Sequence, residues 1–324
     1  MPRANAYPVY FLINQQTHLL DMAGPCQAFH EASELTGQFD LHFVSFDDHA
    51  TCHQGLMLSN LQTPPSHLPA NSIVVVCASK YQPGVYTDES SEKSAHWLRT
   101  APRSDTLILG ICTGTFLLGK AGLLNHRQCT THHSLTMELS DQFPLANVIA
   151  DRIYLQDRNL FTSAGVTAGI DLCLSLIEQL SSGHCATEVA RELVVHRRRM
   201  ANDPQLSLHV RYRNHVSPLI HAVQDYITSR YRERISITEL SEHFRVSQRH
   251  LQRLFKDYTG VTMKEYITRI RLEEAKNLLD DCQTVEQAAY LSGFSQTSTF
   301  RAAWKKYHGG LPGESKQAAT ADVD

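Results

Sequence analysis

No stretch of this 324-residue chain approaches the ~18 consecutive apolar residues that a membrane-spanning helix requires. The first apolar stretch, Tyr7–Ile13, lacks a sustained basic flank and a small-residue cleavage site, so no secretory leader is expected. A cysteine framework is missing too. The cysteines at 26, 52, 77, 112, 129, 173, 185 and 282 form no C-x-x-C pair and keep no regular spacing. That argues against stapling disulfides and a zinc site, and for reduced thiols in the cytoplasm. Charge of one sign is also absent, with 30 Lys/Arg against 33 Asp/Glu. The 42% hydrophobic content excludes a disordered chain, and the length exceeds what one core usually supports, so two domains are expected.

The near-neutral total conceals an uneven distribution. Residues 1–214 hold 15 Lys/Arg against 19 Asp/Glu, whereas residues 215–308 hold 14 against 11. A basic block after an acidic one points to an anionic partner for the second half.

The first ~190 residues alternate strand-like and helix-like stretches. Tyr7–Ile13, Phe39–Phe46, Ser72–Ser79 and Thr106–Ile111 are apolar without strict alternation, as suits parallel strands buried on both faces. Leu20–Leu35, Ser90–Arg99, Ala168–Leu180 and Ala186–His196 read as helices, and Val148–Thr162 as a hairpin. The expected architecture is an α/β domain over 1–195, a flavodoxin-like parallel sheet with helices on both faces. Apolar periodicity fades over 196–216, where Arg197, Arg198 and Arg199 precede Pro204, and a linker is placed there. The arginines suit a solvated face or a phosphate contact.

From 217 to 316 the pattern is wholly helical, with a disordered tail expected over 317–324. Ser236-Ile-Thr-Glu239 and Thr284-Val-Glu-Gln287 are capping-box sequences, each followed by a short helix, a tight break and a second helix. The unit recurs at an offset of 49: Leu251 matches Phe300, Phe255 matches Trp304, Lys256 matches Lys305 and Gly260 matches Gly309. Between the units, Tyr266–Leu279 reads as a helix with two apolar stripes, Tyr266, Ile267, Ile270 and Leu278 on one and Leu272, Ala275 and Leu279 on the other. Apolar spacing alone equally fits an ordinary helical bundle. The intervening positions favour DNA: Arg249 and Arg253 offer forks to guanine, and Gln248 and Gln252 suit an adenine edge. Lys256 and Arg269 suit phosphates.

Ser247-Gln-Arg-His-Leu-Gln-Arg-Leu-Phe-Lys256, then Gly260, Tyr266, Arg271-Leu272 and Ala275, closely resembles the AraC/XylS-type DNA-binding domain. Gly293-Phe294, Phe300-Arg301, Trp304, Gly309 and Pro312 extend the resemblance over about 100 residues. It implies an all-α domain of two helix-turn-helix units. Arg249, Gln252 and Arg253 would face bases in one major groove, and Thr297, Ser298 and Arg301 a second, with Lys305 beside them. Met263 stands where that family commonly has Pro, Ala302 where a second Arg often follows, and residues 313–315 lack the usual aromatic. The first unit is therefore expected to carry more of the base readout.

In the first half, Gly110-Ile-Cys-Thr-Gly114 is a G-x-nucleophile-x-G elbow with Cys112 as the nucleophile. Its strand-to-helix turn places the thiol near a helix N-terminus, which lowers a thiol pKa. The alternative is a small residue packed in a turn. The elbow, with Leu20-Asp-Met-Ala-Gly-Pro25, Gly122-Leu-Leu124, Thr130-Thr-His132 and Ala164-Gly-Val-Thr-Ala-Gly-Ile-Asp171, resembles the PfpI-like branch of the class I glutamine amidotransferase-like fold. Protease-like members place His after the Cys, where this chain has Thr113. Relatives that hydrate isonitriles have Cys-Thr at the elbow and an acid matching Asp21. Ala78-Ser79 replaces a common Gly-Gly turn, which weakens the case for an oxyanion site.

Two readings follow. In one, Asp21, Cys112, Thr113 and Gly165 bind a small effector, an amino acid or quaternary amine. In the other, Cys112 is a hydratase-like nucleophile and Asp21 its acid-base. Fusion to a DNA-binding domain favours the sensor, without enzyme activity, and the resemblance implies an activator. The implied partners are double-stranded operator DNA, the effector, RNA polymerase and a second copy of the chain. No cofactor is expected. Adjacent His132-His133, with no carboxylate or thiolate partner, is not read as a metal site.

Overall fold

The computed structural model describes residues 6–82, 84–195, 198–201, 203, 205, 208–280, 283–308 and 310–312. Gly309, Cys282, the arginine run's Arg197, the linker's Pro204 and the tail from 313 lie outside them. The chain divides into two compact units, 1–205 and 206–324.

The first unit runs β1 (Tyr7–Leu12), α1 (Leu19–Thr36), β2 (Phe39–Val44), β3 (Ile73–Val76), α2 (Glu89–Thr100), β4 (Leu107–Ile111), α3 (Gly114–Lys120), α4 (Thr136–Gln142), β5 (Tyr154–Asp157), β6 (Leu160–Ser163), α5 (Thr167–Leu180) and α6 (Gly183–Glu192). The six strands form one sheet in the order β2-β1-β3-β4-β6-β5, parallel except for the edge strand β5. Strand residues alternate between two cores. Val9, Phe11, Ile73, Val75, Leu109, Ile111 and Phe161 pack with Phe29, Leu172 and Val189 from α1, α5 and α6. Tyr10, Leu12, Val74, Val76, Ile108 and Leu160 pack with Trp97, Leu98, Phe116 and Leu117 from α2 and α3. Both faces are covered, which is why these strands are continuously apolar. The expected flavodoxin-like sheet with helices on both sides is the fold observed.

The stretch after α6 differs from the reading of its arginines. Arg198 pairs with Glu178 and Arg199 with Asp171, each at 2.6 Å, so neither forms a free solvated or phosphate-seeking face. Two carboxylates on α5, remote in sequence, capture them.

The second unit is all-α: α7 (Leu208–Arg213), α8 (Pro218–Arg230), α9 (Ile237–His243), α10 (Gln248–Thr259), α11 (Met263–Asp280), α12 (Val285–Leu291) and α13 (Thr297–His308). The second helices α10 and α13 are each twelve residues and begin 49 residues apart. The first helices begin 48 apart, because the second turn is one residue longer. Gly293, like Arg245 at the matching point of the first turn, is left-handed, at φ +90°; a Cβ there would meet Arg232 Cα at 2.8 Å.

Leu240, Leu251, Phe255, Met263 and Tyr266 close one core, and Leu272, Ala275, Leu279, Phe300 and Trp304 the other. The bridging helix α11 serves them along its length rather than by two parallel stripes. Tyr266, Ile267 and Ile270 join the first core, but Leu278, expected beside them, packs on the second. Thr284 and Gln287 form the reciprocal capping box. At Ser236 the box is only half made: its hydroxyl accepts from Glu239 N, while the Glu239 carboxylate accepts from the Tyr226 hydroxyl at 2.8 Å.

Candidate ligand site and nucleic-acid interface

Cys112 follows β4 directly at φ +53°, a left-handed conformation that lifts it out of the strand before α3 begins. The flanking glycines allow the sharp turn. A Cβ on Gly110 would meet Leu118 Cδ1 at 2.6 Å, and one on Gly114 would run into the Val76 carbonyl. The Cys112 N–H donates to Ser163 O at 3.0 Å, and its carbonyl accepts from the Thr131 hydroxyl at 2.8 Å.

The sheet brings Asp21 and Gly165 to the same place. Asp21 lies buried in the first turn of α1 and accepts from Val166 N at 2.5 Å. Gly165 has φ +85°, and a Cβ there would stand 2.7 Å from both Cys112 Sγ and Asp21 Oδ1. Only glycine lets the β6–α5 turn close over the thiol. Val166 follows at φ 52°, ψ −121°, a strained backbone for a β-branched residue. Thr113, next in the chain, donates its hydroxyl to Ser79 O at 2.5 Å. The structure thus brings together Asp21, Cys112, Thr113 and Gly165.

The electrostatics reverse one expectation. Burial, reinforced by Asp21, pushes the Cys112 thiol up to about 12, although the N–H groups of Thr113 and His132 act in the opposite direction. The seven-residue α3 offers little dipole against that desolvation. Burial likewise raises the Asp21 carboxyl, with the Val166 N–H and His18 opposing. Desolvation thus disfavours the charged form of both groups. The Ser79 N–H donates to the Tyr86 hydroxyl at 3.1 Å, so it is not free to hold an oxyanion.

The sequence reading missed His18. Its Nδ1 lies 3.5 Å from Asp21 Oδ2, and its ring stacks on His53 at 5.4 Å. Its spacing three residues before Asp21 was the available signal; the stacking partner was not visible. The His132 and His133 rings lie 4.2 Å apart, tilted by 37°, and among the described residues no group of three or more His, Cys, Asp or Glu could hold a metal.

In the second unit, Gln248, Arg249, Gln252, Arg253 and Lys256 are all exposed on α10, opposite buried Leu251 and Phe255. On α13, Ser298, Arg301 and Lys305 are exposed and Thr297 half-buried, opposite Phe300 and Trp304. Each set follows helical spacing, so one polar face accompanies one packed face. Arg301 differs from its counterparts in pairing with Glu286 on α12 at 3.0 Å. Gln248 donates to the Thr238 hydroxyl at 3.1 Å, fastening α9 to α10. Arg269, expected at phosphate, instead lies over the rings of Tyr307 at 4.6 Å and Tyr212 at 5.7 Å. Arg271 is structural, donating to the carbonyls of Tyr231 and Glu233 at 2.7 Å each.

An open, doubly covered α/β unit with a cysteine elbow, joined to two helix-turn-helix units, defines a class that comparison with known proteins specifies. The DJ-1/PfpI family model matches residues 8–179, and a helix-turn-helix domain model matches residues 240–318. Over 97% of its length the chain is 26% identical to the HTH-type transcriptional regulator GbdR of Pseudomonas aeruginosa, covering 85% of that protein. It is 30% identical over 179 residues to the isonitrile hydratase of Pseudomonas putida, covering 54% of this chain and 72% of the enzyme. A THiJ/PfpI family protein from Pseudomonas syringae shares the fold, with a TM-score of 0.52 at 21% identity over 70% of this chain and 88% of that one. The chain belongs to the DJ-1/PfpI family, and its helical unit makes it a DNA-binding transcription regulator of the AraC type.

Proposed function

We propose that this regulator controls promoter operators in response to a small nitrogenous metabolite bound over Cys112 in the α/β unit. The carrying observation is the convergence of Asp21, Cys112 and Gly165 at the carboxyl edge of the sheet, where open α/β folds bind ligands. In this reading 1–195 is the effector and dimerisation domain, 196–216 the linker and 217–316 the DNA-binding domain. Asp21, Cys112, Thr113 and Gly165 line the effector site. Gln248, Arg249, Gln252, Arg253 and Lys256 meet one major groove, and Thr297, Ser298, Arg301 and Lys305 the next. A homodimer on repeated half-sites, recruiting RNA polymerase as an activator, completes the proposal. Effector binding shifts the population between operator-binding geometries.

The similarity to the isonitrile hydratase favours a second reading, in which Cys112 is a nucleophile. The raised thiol, the occupied Ser79 N–H and Thr113 in place of a base all weigh against it.

Thermal shift of the full chain against amino acids, betaines and small amines separates the readings. An effector that binds only the folded state stabilises it by mass action, by about 2.7 kcal/mol at a hundredfold excess over Kd, and so raises the midpoint. A shift lost in Asp21→Ala supports the sensor. Turnover of an isonitrile that is abolished in Cys112→Ala overturns it. For the DNA face, selection from random duplexes should show Arg253→Ala relaxing base choice by about 1–3 kcal/mol at one position. Arg301→Ala should relax it less; equal losses would remove the asymmetry between the units.

A further inference from the structure

The chain leaving the α/β unit is bonded to two walls of the Cys112 site. On one wall, Arg199 Nε donates to Asp171 Oδ2 at 2.8 Å and its Nη2 to the Thr167 hydroxyl at 2.7 Å. The Arg199 N–H donates to Asp171 Oδ1 at 3.0 Å. Thr167 begins α5 directly after Gly165 and Val166, the strained turn that covers the thiol and is tied to Asp21. On the other wall, Gln205 Nε2 donates to Thr131 O at 2.8 Å and lies 3.3 Å from the Thr130 hydroxyl. The Thr131 hydroxyl in turn donates to the Cys112 carbonyl.

These fastenings are specific. Between them, Ile153 N donates to Asp203 O at 3.2 Å and Gln205 N to Asp151 Oδ1 at 3.1 Å. Asp171 is almost fully buried, so its charge needs the Arg199 guanidinium, and removing one member of such a pair leaves the other uncompensated. Gln205 Oε1 is itself buried with no partner among the described residues. Gln205 is also the last residue of the first unit, and the next residue opens the DNA-binding unit.

We infer that Arg199 and Gln205 are positioning residues of the Cys112 site, through which the exit segment senses what occupies that site. The inference rests on the effector reading for its purpose, but its physical content is a coupling between the exit segment and the thiol's enclosure. Anything that displaces the Gly165–Val166 turn moves Thr167 and loads the Arg199 fork. Anything that shifts Thr131 loads Gln205. Coupling is reciprocal, so loosening the exit segment must also loosen the enclosure.

Iodoacetamide reads that enclosure. The Cys112 thiol first loses its proton to solvent; the thiolate then attacks the methylene carbon, iodide leaves and a thioether forms. In the full chain, Gln205→Ala and Arg199→Ala should each raise alkylation of Cys112 at least fivefold relative to half-buried Cys26, read by peptide mass spectrometry. Arg191→Ala, which breaks an exposed pair on α6, should not. Arg199→Lys should recover part of the protection by keeping the charge on Asp171. Where an alanine variant fails to fold, Gln205→Asn and Arg199→Lys carry the comparison. Conversely, Asp21→Ala should speed amide exchange at Arg199 and Gln205 at least tenfold. Unchanged Cys112 alkylation in the folded exit variants, or exchange altered at 165–167 but not at 199–205, overturns the inference. A panel compound that raises the melting midpoint while these couplings are absent would retain the effector reading and discard the coupling. Couplings present with no compound binding would discard the effector reading alone.

Discussion

Asp21 carries the clearest consequence at the scale of single residues. Its carboxyl is raised above its ordinary value of 3.8 mainly by burial. Between that value and the raised one, the folded state keeps a proton that the unfolded state releases, so stability falls as pH rises through the window. The loss is absent below the ordinary value and complete above the raised one. Asp21→Asn, which removes the ionisation, should therefore raise the melting midpoint at neutral pH, and the gain should shrink as the pH approaches 4. A gain independent of pH would show that the carboxyl is not raised. The elbow around Cys112 was legible in the sequence because two glycines and a small residue occupy fixed positions in a strand-to-helix turn. The thiol's high pKa was not legible. It comes from desolvation and from an aspartate 91 residues earlier in the chain, neither of which local spacing encodes.

Turns between elements separate glycines that merely relieve backbone strain from those that admit a neighbour. An added Cβ on Gly165, at φ +85°, would clash with Cys112 and Asp21, whereas Gly260 at φ +74° has nothing within 4 Å. Gly260→Ala should cost roughly 1 kcal/mol, the left-handed backbone penalty alone. Gly165→Ala adds a clash with the site and should cost at least ~2–3 kcal/mol more, read by denaturant unfolding of the unit concerned. Equal costs would mean that the β6–α5 turn yields freely. The sequence specified α10 and α13 closely, since each places buried aromatics opposite polar residues at helical spacing. It misassigned Leu278 because periodicity reports which face of a helix is apolar. Which of two cores lies beside each end of α11 depends on where the neighbouring helices arrive.

The whole chain is nearly neutral, yet two helices concentrate exposed cations: Arg249, Arg253 and Lys256 on α10, Arg301 and Lys305 on α13. Affinity for a random-sequence duplex should fall linearly in log–log terms with salt, as phosphate contacts release counterions. Lys256→Ala should reduce the magnitude of that slope by about one, while leaving base preference unchanged. An unchanged slope would place Lys256 away from the backbone. The duplication, the two-unit organisation and the polar faces of both second helices were determined by the sequence itself, because each is written in residue types and spacings along the chain that need no knowledge of which residues touch. Tertiary structure alone decided three other matters: the closing of Gly165 over Cys112, the pairing of Arg301 with Glu286, and the capture of Arg198 and Arg199 by carboxylates on α5. In each case the partner is distant in the chain or on another element. Only the packed fold sets which charges and backbones share a low-dielectric neighbourhood.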